Sequence, residues 1–201
     1  TFVCNQPYDM ATCLAMFTNI SASVIFISRV ETYFPARYRD YADAVYGGRG
    51  IDIRNTKKRM FRQLSSELMT LVRLQFIVSV FVFLAFVIFL PRMGYAGLVM
   101  RIYPMMAAGY FVLFLMYAEI IFLYYFEDLN GALLTSVCFC LTTFLASITA
   151  THMSYIFYGF GVWFGSIVGF SVAYARLRWM EKHIDEHMFC RGSIMKRAKG
   201  I

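Results

Sequence analysis

Long apolar runs alternate with short polar breaks along this chain. Five runs, 10–28, 74–91, 102–126, 131–149 and 155–175, are almost free of charge. A helix crosses the hydrocarbon of a bilayer with about 20 mainly apolar residues, so each run predicts a membrane span. The second, "FIVSVFVFLAFVIFL", is too long and too uniformly apolar for a barrel strand, which would alternate. The prediction is an all-α, polytopic transmembrane bundle of five spans. Between the first two runs, residues 29–73 form a charged segment that "GGRG" (Gly47 to Gly50) breaks into two helical pieces. In the second piece Met60, Phe61, Leu64, Leu68, Leu71 and Val72 share a face that Arg54, Lys57, Lys58 and Arg62 avoid. That pattern predicts a basic amphipathic helix lying at the headgroup level. Asp9 and Thr12 are candidate caps for the first span. Pro91 is expected at the end of the second span and Pro104 in the first turn of the third, both tolerated positions.

Composition agrees with the pattern. The chain is 60% hydrophobic and 15% charged, where soluble domains carry roughly 25% charged residues. The net charge of +7 could suggest nucleic acid, but the Lys and Arg residues cluster beside the apolar runs. Segment 29–73 holds ten of them, residues 176–201 hold seven, and the opposite side holds only Arg92 and Arg101. By the positive-inside tendency the N-terminal end lies outside, and 29–73, the "EDLN" turn and the basic tail 176–201 are cytoplasmic. The turn at His152 is then external. Anionic lipids are the expected partners of these charges, and no nucleic acid is expected. The chain opens on Thr1 rather than Met, so a fragment of a longer protein is expected. Five scattered cysteines (Cys4, Cys13, Cys138, Cys140, Cys190) form no disulfide or zinc pattern.

Within the spans, polar residues are the candidates for function. Glu119 is the one carboxylate clearly inside a run, and an intramembrane carboxylate is expensive enough to need a reason. An interhelical hydrogen bond or an Arg partner is the structural alternative. Thr12, Met16, Asn19 and Ser23 share one side of the first span. The fourth carries Thr135, Ser136, Thr142, Thr143 and Ser147. Such hydroxyls either bond their own backbone or line a hydrated route. Gly161, Gly165 and Gly169 form a double G-x-x-x-G stripe that packs another helix closely, inside the bundle or in a homodimer. His183, His187 and Cys190 fall at helical spacing but match no zinc motif, so no metal or other cofactor is expected. No phosphate loop and no nucleophile elbow occurs. The chain is expected to move or hold something and not to be an enzyme.

Four segments resemble the PelG family, multispanning inner-membrane proteins of Pel exopolysaccharide systems. They are "YDMATCLAMFTNISASVIFISRVETYFPARYRDYADAV", "LVRLQFIVSVFVF", "LYYFEDLNGALL" and "FYGFGVWFG", in the family's order and at similar spacing. The resemblance covers nearly all of the chain and corresponds to the family's C-terminal half. It implies one lobe of an exporter of about twelve spans, which alternately exposes a central route between lobes. The implied role is export of Pel-type exopolysaccharide across the bacterial cytoplasmic membrane for biofilm matrix. The implied partners are a cytoplasmic glycosyltransferase and other Pel membrane proteins. A partly deacetylated, cationic polymer would favour carboxylates and aromatic faces along its path, which makes Glu119, Asn19, Tyr110 and Tyr117 the candidate path residues. The strip "ETYFPARYRDY" makes Glu31, Tyr33, Arg37, Tyr38, Arg39 and Tyr41 the candidate partner face. A non-conducting scaffold that docks and activates the glycosyltransferase, or a flippase for lipid-linked oligosaccharide, are the alternatives.

Overall fold

In hydrocarbon a backbone must satisfy its own hydrogen bonds, and a single chain of this length does so most simply as helices. The computed structural model describes residues 5–92, 94 and 97–190. It contains α1 (Gln6–Gly47), α2 (Gly50–Arg92), α3 (Leu98–Tyr125), α4 (Leu129–Thr151) and α5 (Phe160–Cys190). A 3₁₀ turn, Tyr155–Gly159, leads into α5, and no strand occurs among the described residues. All five helices contain a stretch long and apolar enough to cross a membrane. The protein is therefore all-α with five candidate spans. The chain divides into two units, Thr1–Ala107 and Ala108–Ile201, with the boundary inside α3.

In the first unit α1 and α2 pack as a helical hairpin. Their lengths, 42 and 43 residues, correspond to about 63 and 65 Å at 1.5 Å per residue, roughly twice the ~30 Å hydrocarbon thickness. Segment 29–73 is thus mostly a helical continuation of the two spans rather than a separate loop. The change from apolar to charged residues at Ser28 does not end the helix. Nothing from Arg29 to Tyr46 breaks a helix except Pro35, which α1 absorbs. The break falls at Gly48, whose N–H donates to the Ala44 carbonyl at 2.9 Å. A Cβ there would lie 3.2 Å from the Ala44 carbonyl carbon, so glycine permits this tight reversal. Arg49 N–H donates to Asp52 Oδ2 at 3.2 Å, which ties the start of α2.

The hairpin seam has heptad-like spacing. From α1 come Ala11, Ala15, Thr18, Phe26, Val30, Phe34 and Tyr41, all buried. From α2 come Met60, Leu64, Glu67, Leu71 and Gln75. Of the expected amphipathic face, Met60, Leu64 and Leu71 are buried, while Phe61, Leu68 and Val72 are half-buried at the flank. Large apolar side chains such as Phe76, Ile77, Phe81 and Phe89 are exposed, as suits a lipid-facing surface. Tyr103, at the start of α3, stacks on Phe83 at 5.9 Å and meets Phe86 edge-on at 5.5 Å.

Several expectations at helix ends need correction. Asn5, not Asp9 or Thr12, occupies the cap position of α1, and its side chain makes no capping bond. Thr12 instead donates to the Tyr8 carbonyl at 2.9 Å. Pro104 lies inside α3, because that helix begins earlier, at Leu98. The helical spacing read for His183 to Cys190 agrees with α5, which continues to Cys190.

In the second unit α4 and α5 run antiparallel at close range. Gly161, Gly165 and Gly169 face Ser147, Thr143 and Phe139 of α4. A Cβ on the first two would lie 3.1 Å from the Ser147 and Thr143 Cα atoms, and one on the third 3.2 Å from the Phe139 Cβ. The stripe is thus covered by α4 itself, turn for turn. Gly109 of α3 approaches the Trp163 backbone nitrogen of α5 in the same way, at 3.0 Å for an added Cβ. Gly165→Val is therefore expected to lower thermal stability by about 1–3 kcal/mol, the usual cost of overpacking. Thermal unfolding in detergent measures this. A change in oligomeric state with unchanged stability would instead place the stripe between protomers.

Candidate functional site

Polar groups in a membrane helix need partners, so the way each one is satisfied separates fold from function. Most hydroxyls bond their own helix. Thr18 donates to the Ala15 carbonyl, Ser23 to Ile20, Thr135 to Gly131, Ser136 to Ala132 and Thr142 to Cys138, at 2.6 to 3.0 Å. Thr143 Oγ1 is buried with no partner among the described residues and faces Gly165. The O–H donors of these bonded first- and fourth-span hydroxyls are thus spent locally, on their own helices.

Asn19 belongs to the hairpin. Gln75 Nε2 donates to Asn19 Oδ1 at 2.6 Å, while Gln75 Oε1 is buried without a partner among the described residues. Asn19→Leu alone strands the Gln75 amide and is expected to cost about 1–3 kcal/mol, whereas Asn19→Leu with Gln75→Leu is expected to be near neutral. Unfolding of both variants in detergent checks the pair. A loss in the double variant as large as in Asn19→Leu would show that the stranded Gln75 amide is not the source of the cost.

Three carboxylates are buried among the described residues: Glu67, Asp128 and Glu119. Glu67, on the hairpin seam, accepts from Arg29 Nε at 3.0 Å and from Gln63 Nε2 at 2.8 Å. The Arg29 guanidinium also lies 5.9 Å from the Tyr33 ring centroid. Asp128 accepts from Gly131 N–H at 3.1 Å, which caps α4. It also takes a two-pronged contact from Arg176 of α5, Nε at 2.5 Å and Nη2 at 3.0 Å. Arg176 in turn covers the Trp179 ring at 4.2 Å, and Trp179 stacks on His183 at 4.6 Å. These two carboxylates are fixed by arginine and hold helices together.

Glu119 is the exception. It is 1% exposed, six residues before the end of α3, or about 9 Å along the axis. Its Oε2 has no hydrogen-bond partner among the described residues. A buried carboxylate oxygen left without a hydrogen-bond donor calls for a proton or an incoming cation.

The two tyrosine candidates on α3 do not share its face. Tyr117 is 46% exposed and lies about 200° from Glu119 around the helix, at 100° per residue. Tyr110, half-buried, shares the Tyr117 face by its seven-residue spacing. Asn19 belongs to the other unit. Of the partner-face residues, Glu31, Tyr33, Arg37 and Arg39 are exposed, and Tyr38 is half-buried. Tyr41 is fully buried in the hairpin seam, so it serves packing rather than a partner. His183 hydrogen-bonds the Trp179 carbonyl at 3.0 Å, and the side chains of His187 and Cys190 lie outside the described residues. No group of three metal-ligating side chains occurs among those described.

Glu67, Gln75, Asp128 and Arg176 were not among the candidates from sequence. For the first two the signal was available: Glu67 and Gln75 interrupt an otherwise apolar stripe at Met60, Leu64 and Leu71. Asp128, just before "LNGALL", has the placement of an N-cap.

The helices and their lipid-suited exterior define a multi-pass membrane protein. Its sequence matches the PelG family, described as "Putative exopolysaccharide Exporter (EPS-E)", over residues 1–189. The chain belongs to this family. No curated protein and no solved structure matches it.

Proposed function

We propose that this chain is a conducting part of an exopolysaccharide exporter, and that Glu119 is the group on which its cargo or coupling cation acts. The carrying observation is the contrast among buried carboxylates: Glu67 and Asp128 are clamped by arginine, and Glu119 Oε2 is left without a partner among the described residues. A cationic amino-sugar polymer of the Pel type would supply such a partner in passing, with Tyr110 and Tyr117 offering aromatic faces elsewhere on α3. Membership of the PelG family supports the cargo class. The charge asymmetry supports a bacterial cytoplasmic membrane setting, with the α1–α2 turn and the α5 end on the cytoplasmic side. There the exposed Glu31, Tyr33, Arg37 and Arg39 would meet a cytoplasmic glycosyltransferase and other Pel membrane proteins. Glu119→Gln tests the proposal, with surface polymer measured against membrane abundance of the protein. A loss of polymer at equal abundance is expected.

A further inference from the structure

The α1–α2 hairpin holds a second feature, independent of Glu119. Beyond the Arg29–Glu67 clamp, toward the Gly48 turn, a groove of about 430 Å³ is lined by Arg37, Arg59, Arg62, Gln63 and Ser66. Its walls hold three guanidinium groups and no carboxylate. Arg37 reaches only Asp40, at 3.4 Å, in a pair about half exposed on both sides. Arg59 and Arg62 have no anionic partner among the described residues. The nearest seam carboxylate, Glu67, is taken up by Arg29 and Gln63.

Guanidiniums that line one groove repel one another and gain most from an anion that accepts several forked hydrogen bonds at once. A carboxylate offers two oxygens, while a phosphoryl group offers three and a higher charge. Ser66 adds a neutral hydroxyl donor, and Gln63, whose Nε2 already donates to Glu67, keeps one further N–H for such a group. The volume falls within the range of small-ligand pockets, about 300–1,000 Å³, and exceeds the needs of one phosphate. Arg37 lies eight residues past Arg29, or about 12 Å along α1. That places the groove at or past the lipid phosphate layer if Arg29 marks the hydrocarbon edge.

We infer that this groove is a binding site for a phosphoryl- or diphosphate-bearing ligand, with Arg59 and Arg62 as its principal contacts and Arg37, Gln63 and Ser66 completing it. A soluble phosphorylated compound and an anionic lipid headgroup share this chemistry, and experiment separates them.

The test uses the full chain in nanodiscs of phosphatidylcholine, titrated with pyrophosphate at physiological salt and followed by calorimetry. Saturable binding is expected, weakened at least about tenfold in Arg59→Ala/Arg62→Ala, since both forked, charge-assisted contacts are lost. Arg59→Lys/Arg62→Lys keeps the charge but not the fork and is expected to fall between. Arg178→Ala, an exposed arginine outside the groove, is expected to change nothing. In a second arm, nanodiscs containing phosphatidylglycerol are used. Competition with pyrophosphate, together with lipid retention lost in the double Ala variant, would assign the site to a headgroup. Pyrophosphate binding unaffected by that lipid would assign it to a soluble ligand. No saturable pyrophosphate binding, with equal lipid retention in wild type and variant, overturns the inference. Binding that the double Ala variant leaves intact overturns it as well.

Discussion

Glu119→Gln is expected to cut secreted polymer by about tenfold to a hundredfold while leaving the fold intact. The magnitude follows from the loss of one charge-assisted contact, about 1.5–3 kcal/mol, if that contact forms during passage and not at rest. The substitution is nearly isosteric and removes a carboxyl group whose Oε2 has no hydrogen-bond partner among the described residues. Thermal stability in detergent is therefore expected to change by less than about 1 kcal/mol in either direction. This combination distinguishes function from structure. A carboxylate that merely held α3 in place would lose stability and secretion together. Normal secretion from Glu119→Gln at equal membrane abundance would remove Glu119 from the path.

Asp128→Ala is expected to do the opposite and damage the fold. Asp128 performs two tasks, accepting from Gly131 N–H at the start of α4 and from both prongs of Arg176 on α5. Loss of a cap costs about 0.5–2 kcal/mol, and breaking a buried ion pair about 3–5 kcal/mol. Arg176 retains 29% side-chain exposure and can recover some hydration, so a total of about 3 kcal/mol is expected. Arg176→Ala is expected to cost less, because Asp128 keeps its capping role. Unfolding of both single variants and the double variant in detergent gives the coupling between them. A loss below about 1 kcal/mol for Asp128→Ala would show that the α3–α4 turn and α5 are held by packing alone.

These two carboxyl groups also show what could be read in advance. The apolar runs located the spans well, because hydrocarbon imposes a length that residue order displays directly. The third and fourth runs, 102–126 and 131–149, agree closely with α3 and α4. Charge proved a poor marker of where a helix stops. Arg29, Arg37 and Arg39 are good helix formers once outside the membrane, so α1 continues to Gly47. Glu119 stood out as a lone acid in an apolar run, and the structure buries it. Glu67 did not stand out, since its partner Arg29 is 38 positions away and only the hairpin register brings them together. Tyr41 shows the reverse error. It belongs to a tyrosine-rich strip that resembles an interfacial belt, yet the seam periodicity turns it inward.

Export through this chain is tested most directly by flux. Purified protein is reconstituted in liposomes, and release of a trapped cationic amino-sugar oligosaccharide is followed for wild type and Glu119→Gln. Release that requires the protein and falls at least about tenfold in the variant is expected. A wild-type rate equal to that of empty liposomes, in protein that still co-purifies with a cytoplasmic glycosyltransferase, would contradict export and make the chain a scaffold.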